Sequence, residues 1–439
     1  MTTYIVVPDV AFVGPYSAYH PYMLFAARKA QGQDVVLTKG HQYIKEEAQW
    51  FDLLKGGSEY YVSLEEVQQT AMAEYLINFV GLRHTPKSFA IGYPGFAEAV
   101  GLPFYHLTDE EILCGMQYTQ RAYLENFATP LVALTDADGH FDDIPGTFYP
   151  FFTSYGCGNK CKFCPVDKYT NGRYLELSMP AVWDELHYCE KQGLHNLHFI
   201  DENPFKNQER LMSVLGKFMA SPKAYQLILM GTVNDVQKFV DMYGWEVLES
   251  AGVKVIEIGF ESAALSKVMN KPGVEKYKTL AKAFRETTIR PFWLNVSFFP
   301  GETIKTLEAT GDFMREYGPP NTSNRISTNN TEGGLGQCLY AFPNSNLRQD
   351  LFQISPTPTR LYPGYIPFSF LGTSIPKKIA YQDLGNRAKN YLKMYGVMGE
   401  TQFETEAGET VNHFHQRYRK TGAHPYIFIA ILAKLGYFK

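Results

Sequence analysis

Apolar and polar positions divide the chain into three stretches with different rhythms. Near the start, "TYIVVPD" is a short apolar run, "PYMLFAARKAQGQ" places apolar residues at helical spacing, and "DVVLTKG" is a second apolar run. Strand-like runs with a helix between them predict a small α/β unit over residues 1–145. Further along, "SLEEVQQTAMAEYLINFVG" has Ser63 ahead of Glu65 and Glu66 with apolar positions at helical spacing, which predicts a helix starting there. The acidic, glycine-bearing "DADGHFDDIPG" predicts a boundary loop.

Over residues 146–343 the pattern alternates. The runs "TFYPFFTS", "LHNLHFID", "YQLILMGT", "KVIEIGF", "FWLNVSFF" and "QCLYAF" predict strands. Between them, "SMPAVWDELHYCEKQG", "NQERLMSVLGKFMAS", "VQKFVDMYGWEVLESAG", "GVEKYKTLAKAFRETT" and "TIKTLEATGDFMREYG" predict helices. Alternation of this kind means parallel strands joined by right-handed crossovers. The predicted fold class is therefore α/β, a partial (β/α)6 TIM-like barrel with an N-terminal α/β extension and a helical C-terminal segment. Residues 344–439 begin irregularly with "SPTPTRLYPGYIPFSFLG" and close in helical patterns, a segment expected to cover the substrate. The last apolar stretch, "PYIFIAILAKLGYF", is too short for a membrane anchor and is interrupted by Lys434.

Composition narrows the class of function. The 439 residues carry a formal net charge of -4, which argues against a general nucleic-acid binder. Hydrophobic residues make up 45% of the chain, enough for a sizeable core. Aromatics make up 15%, as core filler or as the lining of a substrate cavity. The start lacks a basic n-region and a proper apolar h-region, so a cytoplasmic location without membrane is expected. In that compartment clustered cysteines mean a metal or redox site rather than disulfides.

Three of the six cysteines, Cys157, Cys161 and Cys164, fall within "YGCGNKCKFCPVDKY". Thiolates suit zinc or iron–sulfur clusters. A closed zinc site takes four ligands, usually in two pairs, and no second pair is near. Cys114, Cys189 and Cys338 are scattered. Three thiolates on a cubane leave one iron open to a further ligand.

The C-x3-C-x2-C spacing, at the end of the first barrel strand and with Phe163 just before the last cysteine, resembles the radical S-adenosylmethionine (SAM) superfamily. "FIDENPF", "IEIGFESAALSKVMNK" and "SFFPGET" follow in order and resemble the subgroup of the tRNA methylthiotransferases, the Elongator catalytic subunit and the cobalamin-dependent enzymes. The resemblance covers about residues 147–330. It implies a [4Fe-4S] cluster on Cys157, Cys161 and Cys164, and reductive cleavage of SAM to a 5′-deoxyadenosyl radical that abstracts hydrogen from substrate. Phe163, Asp201, Glu261 and Ser262 are the implied cofactor-binding residues. Asp201 is also readable as a helix N-cap, and Glu261 as an ordinary strand-end charge. A reductant such as flavodoxin or ferredoxin is the implied electron source.

Three reactions remain to be separated. A methylthiotransferase wants three cysteines in its N-terminal domain, where this chain has Cys114 alone. A cobalamin-dependent methyltransferase places a Rossmann-like domain before the barrel. The first forty residues are able to begin one, without an Asp-x-His-x-x-Gly motif. The third reading turns on Cys338 in "GGLGQCLYAF". A thiol there, returning hydrogen to the opposite face of a substrate radical, resembles the proteusin-type peptide epimerases. Those act on ribosomally made precursor peptides. The same cysteine reads equally as a small buried hydrophobe. Epimerisation with Cys338 as hydrogen donor is the first expectation, and cobalamin-dependent methylation the alternative. His413, His415, Arg417, Arg419 and Lys420 form a basic stretch, read as a solvated face rather than a leader-peptide site.

Overall fold

The computed structural model describes residues 2–7, 19–39, 57–64, 87–92, 101–133, 146–264, 269–297, 304–317 and 335–338, with single residues between them. The expected C-terminal segment 344–439, with its basic stretch, and the "SFFPGET" turn after Ser297 lie outside them.

Two parallel sheets organise the described chain. The first contains β1 (Thr3–Val7), β2 (Val35–Lys39), β3 (Glu59–Leu64) and β4 (Ser88–Gly92), in the order β2-β1-β3-β4. All three pairings are parallel. Helix α1 (His20–Ala30) follows β1 and buries Met23, Leu24, Phe25, Ala26 and Ala27. Ser63, expected to stand ahead of a helix, lies fully buried in β3, and the expected helix from residue 65 on lies outside the described residues. The aromatic and β-branched run "EYYVSL" pairs on both sides, and that burial overrides the local cap signal. Helix α2 (Asp109–Phe127) opens with a capping box: Glu111 N–H donates to Thr108 Oγ1 (3.2 Å) and Thr108 N–H to Glu111 Oε2 (2.9 Å).

The second sheet has six parallel strands, each alternating with helix. In chain order they are β5 (Tyr149–Phe151), β8 (Asn196–Phe199), β9 (Gln226–Gly231), β10 (Val253–Glu261), β11 (Arg290–Ser297) and β12 (Leu335–Cys338). A short antiparallel ribbon, β6 (Ser154–Tyr155) with β7 (Leu175–Glu176), interrupts the first crossover. It flanks the one-turn helix α3 (Val166–Tyr169). The outer helices are α4 (Met179–Gln192), α5 (Gln208–Ala220), α6 (Val233–Tyr243), α7 (Trp245–Ser250), α8 (Val274–Phe284) and α9 (Ile304–Tyr317). The pattern read as one helix over "VQKFVDMYGWEVLESAG" breaks into α6 and α7 at Gly244, whose φ is +82°.

The strands lie side by side in strict chain order, with β5 and β12 as the two edges. The second sheet is thus a six-stranded partial barrel. Alternation along β10 sorts its faces. Ile256, Ile258 and Phe260 pack into the main core with the helices. Val255 points the other way and joins Phe148, Ile228, Phe292 and Leu294 in a second apolar cluster. Glu257, Gly259 and Glu261 continue that inner face toward the C-terminal end of the strand. No described helix is long and apolar enough to cross a membrane.

Candidate active site

In parallel barrels, side chains that do chemistry collect where the strands end. Here that end carries the cysteine loop. Cys157, Cys161 and Cys164 are partly buried, and burial pushes all three thiols above the usual cysteine range. Bare thiolates are therefore disfavoured there, and a positively charged iron core supplies what they lack. Among the described residues no three Cys, His, Asp or Glu side chains gather as the ligands of a single ion. Asn159 Nδ2 donates to Cys157 Sγ (3.3 Å), a bond that suits a metal-bound sulfur.

The loop is held from below. Gly156 has φ +94°, and a Cβ there would fall 2.1 Å from the Arg173 carbonyl oxygen. Its N–H donates to Glu202 Oε2 (2.7 Å), while Tyr169 Oη donates to Glu202 Oε1 (2.7 Å). Tyr155 and Tyr169 both pack edge-on against the His20 ring, and His20 Nε2 lies 2.9 Å from Tyr155 Oη. His20 is the first residue of α1, so the first sheet's helix abuts the cysteine loop. Burial holds His20 down to about 4, against the pull of Glu202.

Asp201 is fully buried at the end of β8. Its Oδ1 accepts from Thr153 N–H (2.7 Å), and its Oδ2 accepts from the hydroxyls of Thr153 and Ser154 (2.8 Å for Ser154). This carboxylate braces β8 against the chain entering the cysteine loop. Burial pushes it up to about 6, opposed by those donors. Ser262 is also buried, with its Oγ 3.3 Å from Thr310 Oγ1 on α9 and accepting from Ala264 N–H (3.3 Å). Its hydroxyl is engaged within its own turn.

Glu261 is placed differently. It ends β10 with φ +66°, a left-handed conformation unusual for a residue with a side chain. Its Oε1 lies 3.1 Å from Lys271 Nζ, and its buried Oε2 has no hydrogen-bond partner among the described residues. A buried carboxylate oxygen without a donor fits an ammonium or hydroxyl brought by a ligand, as SAM would bring. Lys271 Nζ also donates to the Gly259 carbonyl (3.3 Å) and stands 5.8 Å from the centre of the Phe163 ring. Phe163, Glu261 and Cys161 thus share one corner, with Lys271 between them.

Cys338 ends β12, its backbone in register with Ser297 at the C-terminal edge of the sheet. Its side chain is outside the described set. Cys189 is fully buried in α4 and Cys114 is half-buried on α2. Lys160 and Lys162 are exposed. Sequence reasoning assigned no role to three residues: Glu202, His20 and Lys271. Glu202 and Lys271 stand inside the motifs "FIDENPF" and "MNK". His20 carries no motif, and nothing local could have found it.

Residues 151–314 match the family model described as the radical SAM superfamily. That stretch carries a radical SAM domain, and enzymes of that superfamily use a [4Fe-4S] cluster and SAM. No curated protein matches the chain. Among solved structures, it is similar to the radical SAM methyltransferase TsrM from Kitasatospora setae, solved with tryptophan substrate and a SAM analogue. That match has a TM-score of 0.56 at 15% identity and covers 80% of this chain and 76% of that one. A second TsrM structure, with cobalamin and a [4Fe-4S] cluster bound, matches with TM-score 0.56 at 16% identity, over 80% of this chain and 78% of that one. The cobalamin-dependent SAM radical enzyme OxsB, solved with aqua-cobalamin and SAM, matches with TM-score 0.56 at 12% identity. That match covers 98% of this chain and 72% of that one. At these identities the likeness is one of fold.

Proposed function

We propose that this protein is a cobalamin-dependent radical SAM methyltransferase. The observation that carries the reading is the strand order β2-β1-β3-β4 of the first sheet. In a parallel sheet of this order, β2 and β3 lie on opposite sides of β1, and a crevice opens at the C-terminal ends of β1 and β3. Helix α1 starts from that same end and touches the cysteine loop through His20. The crevice therefore opens on the cluster side of the molecule. A solved structure of similar fold that holds cobalamin and a [4Fe-4S] cluster, and another that holds aqua-cobalamin and SAM, support the reading. The loops that would line the crevice, 8–18 and 65–86, lie outside the described residues.

When bound, the cluster, SAM and the corrinoid supply one-electron and methyl-transfer chemistry. The chain's own residues then have definite tasks. Cys157, Cys161 and Cys164 hold three irons. Glu202 and Gly156 fix the loop that carries them. Glu261 Oε2 would accept from a donor on SAM, and Phe163, next to Cys164, would line the same corner.

The epimerase reading keeps one support, the place of Cys338 at the C-terminal end of the last strand. Nothing in the similar structures favours it. Anaerobic purification and reconstitution, followed by absorption spectroscopy with iron and corrinoid analysis, separates the two readings. The expected result is about one corrinoid and one cubane per chain. One cubane without corrinoid, with deuterium entering a peptide in heavy water, would replace methyl transfer by epimerisation.

A further inference from the structure

Lys271 is a buried cation in a site that must hold electrons. Its side chain is 9% exposed. It is bound on three sides: by the Glu261 carboxylate at 3.1 Å, by the Gly259 carbonyl at 3.3 Å, and by the Phe163 ring at 5.8 Å. Burial works against its charge, but Glu261, Cys161 and Tyr277 together hold its pKa above the usual lysine range. Its carboxylate partner at 3.1 Å favours the charged ammonium. The chain also leaves room for it. A Cβ on Gly259 would come within 2.8 Å of Lys271 Nζ and 2.9 Å of Glu261 Oε1, so β10 carries a residue without a side chain there.

A cluster held by three thiolates gains negative charge when it is reduced. A fixed buried cation beside one of those thiolates stabilises the reduced form more than the oxidised one, because screening by water is weak there. Glu261 acts in the opposite sense from the other side of the ammonium. We propose that Lys271 is a positioning residue of an electrostatic kind, which raises the reduction potential of the cluster, and that Glu261 opposes it. This rests on the radical SAM reading of the cysteine loop. It holds whether the later chemistry is methylation or epimerisation.

The test is the midpoint potential of the reconstituted protein without SAM, followed by absorption and electron paramagnetic resonance. K271M is expected to lower the reduced-to-oxidised ratio at a fixed poise at least tenfold, a shift of about 59 mV for a one-electron couple. K271R is expected to restore the parent value. E261Q is expected to move the potential the other way, and it leaves Lys271 in place if K271M fails to fold. Opposite signs in K271M and E261Q are the signature, since a general loosening of the fold would not move the two potentials in opposite directions. Unchanged SAM-free potentials with a raised KM for SAM would overturn the proposal and make Lys271 an anchor for SAM. Failure of the parent protein to bind iron and sulfide would instead sink the cluster reading itself.

Discussion

The two parallel sheets are built from the same alternation of strand and helix, yet one reverses its strand order and the other does not. In the six-stranded sheet every new strand is laid on the same side of the last, from β5 to β12. Such a sheet curls, and its strand ends converge on one mouth. In the four-stranded sheet the chain goes from β1 outward to β2, then returns to β1's other edge for β3. That reversal parts the flanking loops and makes a crevice. One sheet concentrates side chains. The other parts its loops at the ends of β1 and β3. The cysteine loop and α1 meet through Tyr155, Tyr169 and His20.

The comparison breaks most severely at the cysteines. Replacing Cys157, Cys161 or Cys164 by Ala is expected to abolish cluster assembly, measured as iron and sulfide per chain. Any corrinoid binding by the first sheet should survive, because no described residue of that sheet belongs to the cysteine loop. Loss of both cofactors together would show that the two sheets do not bind independently. Next in size is Gly156→Ala. It places a side chain at φ +94° and against a backbone oxygen that cannot rotate away. A loss of about 2–4 kcal/mol is expected, with poor cluster yield. Denaturant unfolding of the apo-protein measures the first effect, and iron analysis the second.

Much of the second sheet was legible because its elements repeat a simple rhythm. Six apolar runs gave six strands in order, and "YGCGNKCKFCPVDKY" pointed to its chemistry through its resemblance to the radical SAM superfamily. Glu261 was legible through its motif. The first sheet was legible only at its start. The runs "EYYVSL" and "SFAIG" went unread: they are short, and their strand character comes from pairing within the sheet. Ser63 shows the cost of reading a local cap without that context. Lys271 and Glu202 were hidden for another reason. Each acts through a partner brought near by the fold, Glu261 and Phe163 for one, Gly156 and Tyr169 for the other. A linear pattern has no means of expressing that.

The contact between the sheets should report itself in acid. His20 has its pKa held down to about 4 by burial, against 6.5 for the unperturbed side chain. Between those values the unfolded chain binds a proton that the folded chain refuses. Stability contributed by neutral His20 is therefore present above pH 6.5 and is lost as the pH falls toward 4. The loss approaches about 3 kcal/mol at the acid end. His20→Phe keeps a ring against Tyr155 and Tyr169 but cannot titrate. Its unfolding free energy should start about 1 kcal/mol below the parent at neutral pH, for the lost hydrogen bond. It should then fall less steeply across pH 6.5 to 4. Parallel pH profiles for the two proteins would mean that His20 is open to water, and that the first sheet does not seal the cysteine loop.

The smallest effect tests the first unit by itself. Thr108 caps α2, and its hydroxyl and the Glu111 carboxylate satisfy each other's backbone donors. Thr108→Ala removes one half of that exchange and is expected to cost about 1 kcal/mol in denaturant unfolding. Helix α2 also reaches the second unit through Arg121, which bonds Glu185 (2.9 Å) and Asp184 (2.8 Å) on α4. That pairing lies at the far end of the helix from the cap. If the two sheets unfold as one body, the loss should appear in a single transition with the slope unchanged. If they unfold separately, Thr108→Ala should shift an early transition and leave the later one, belonging to the cysteine-bearing sheet, where it was.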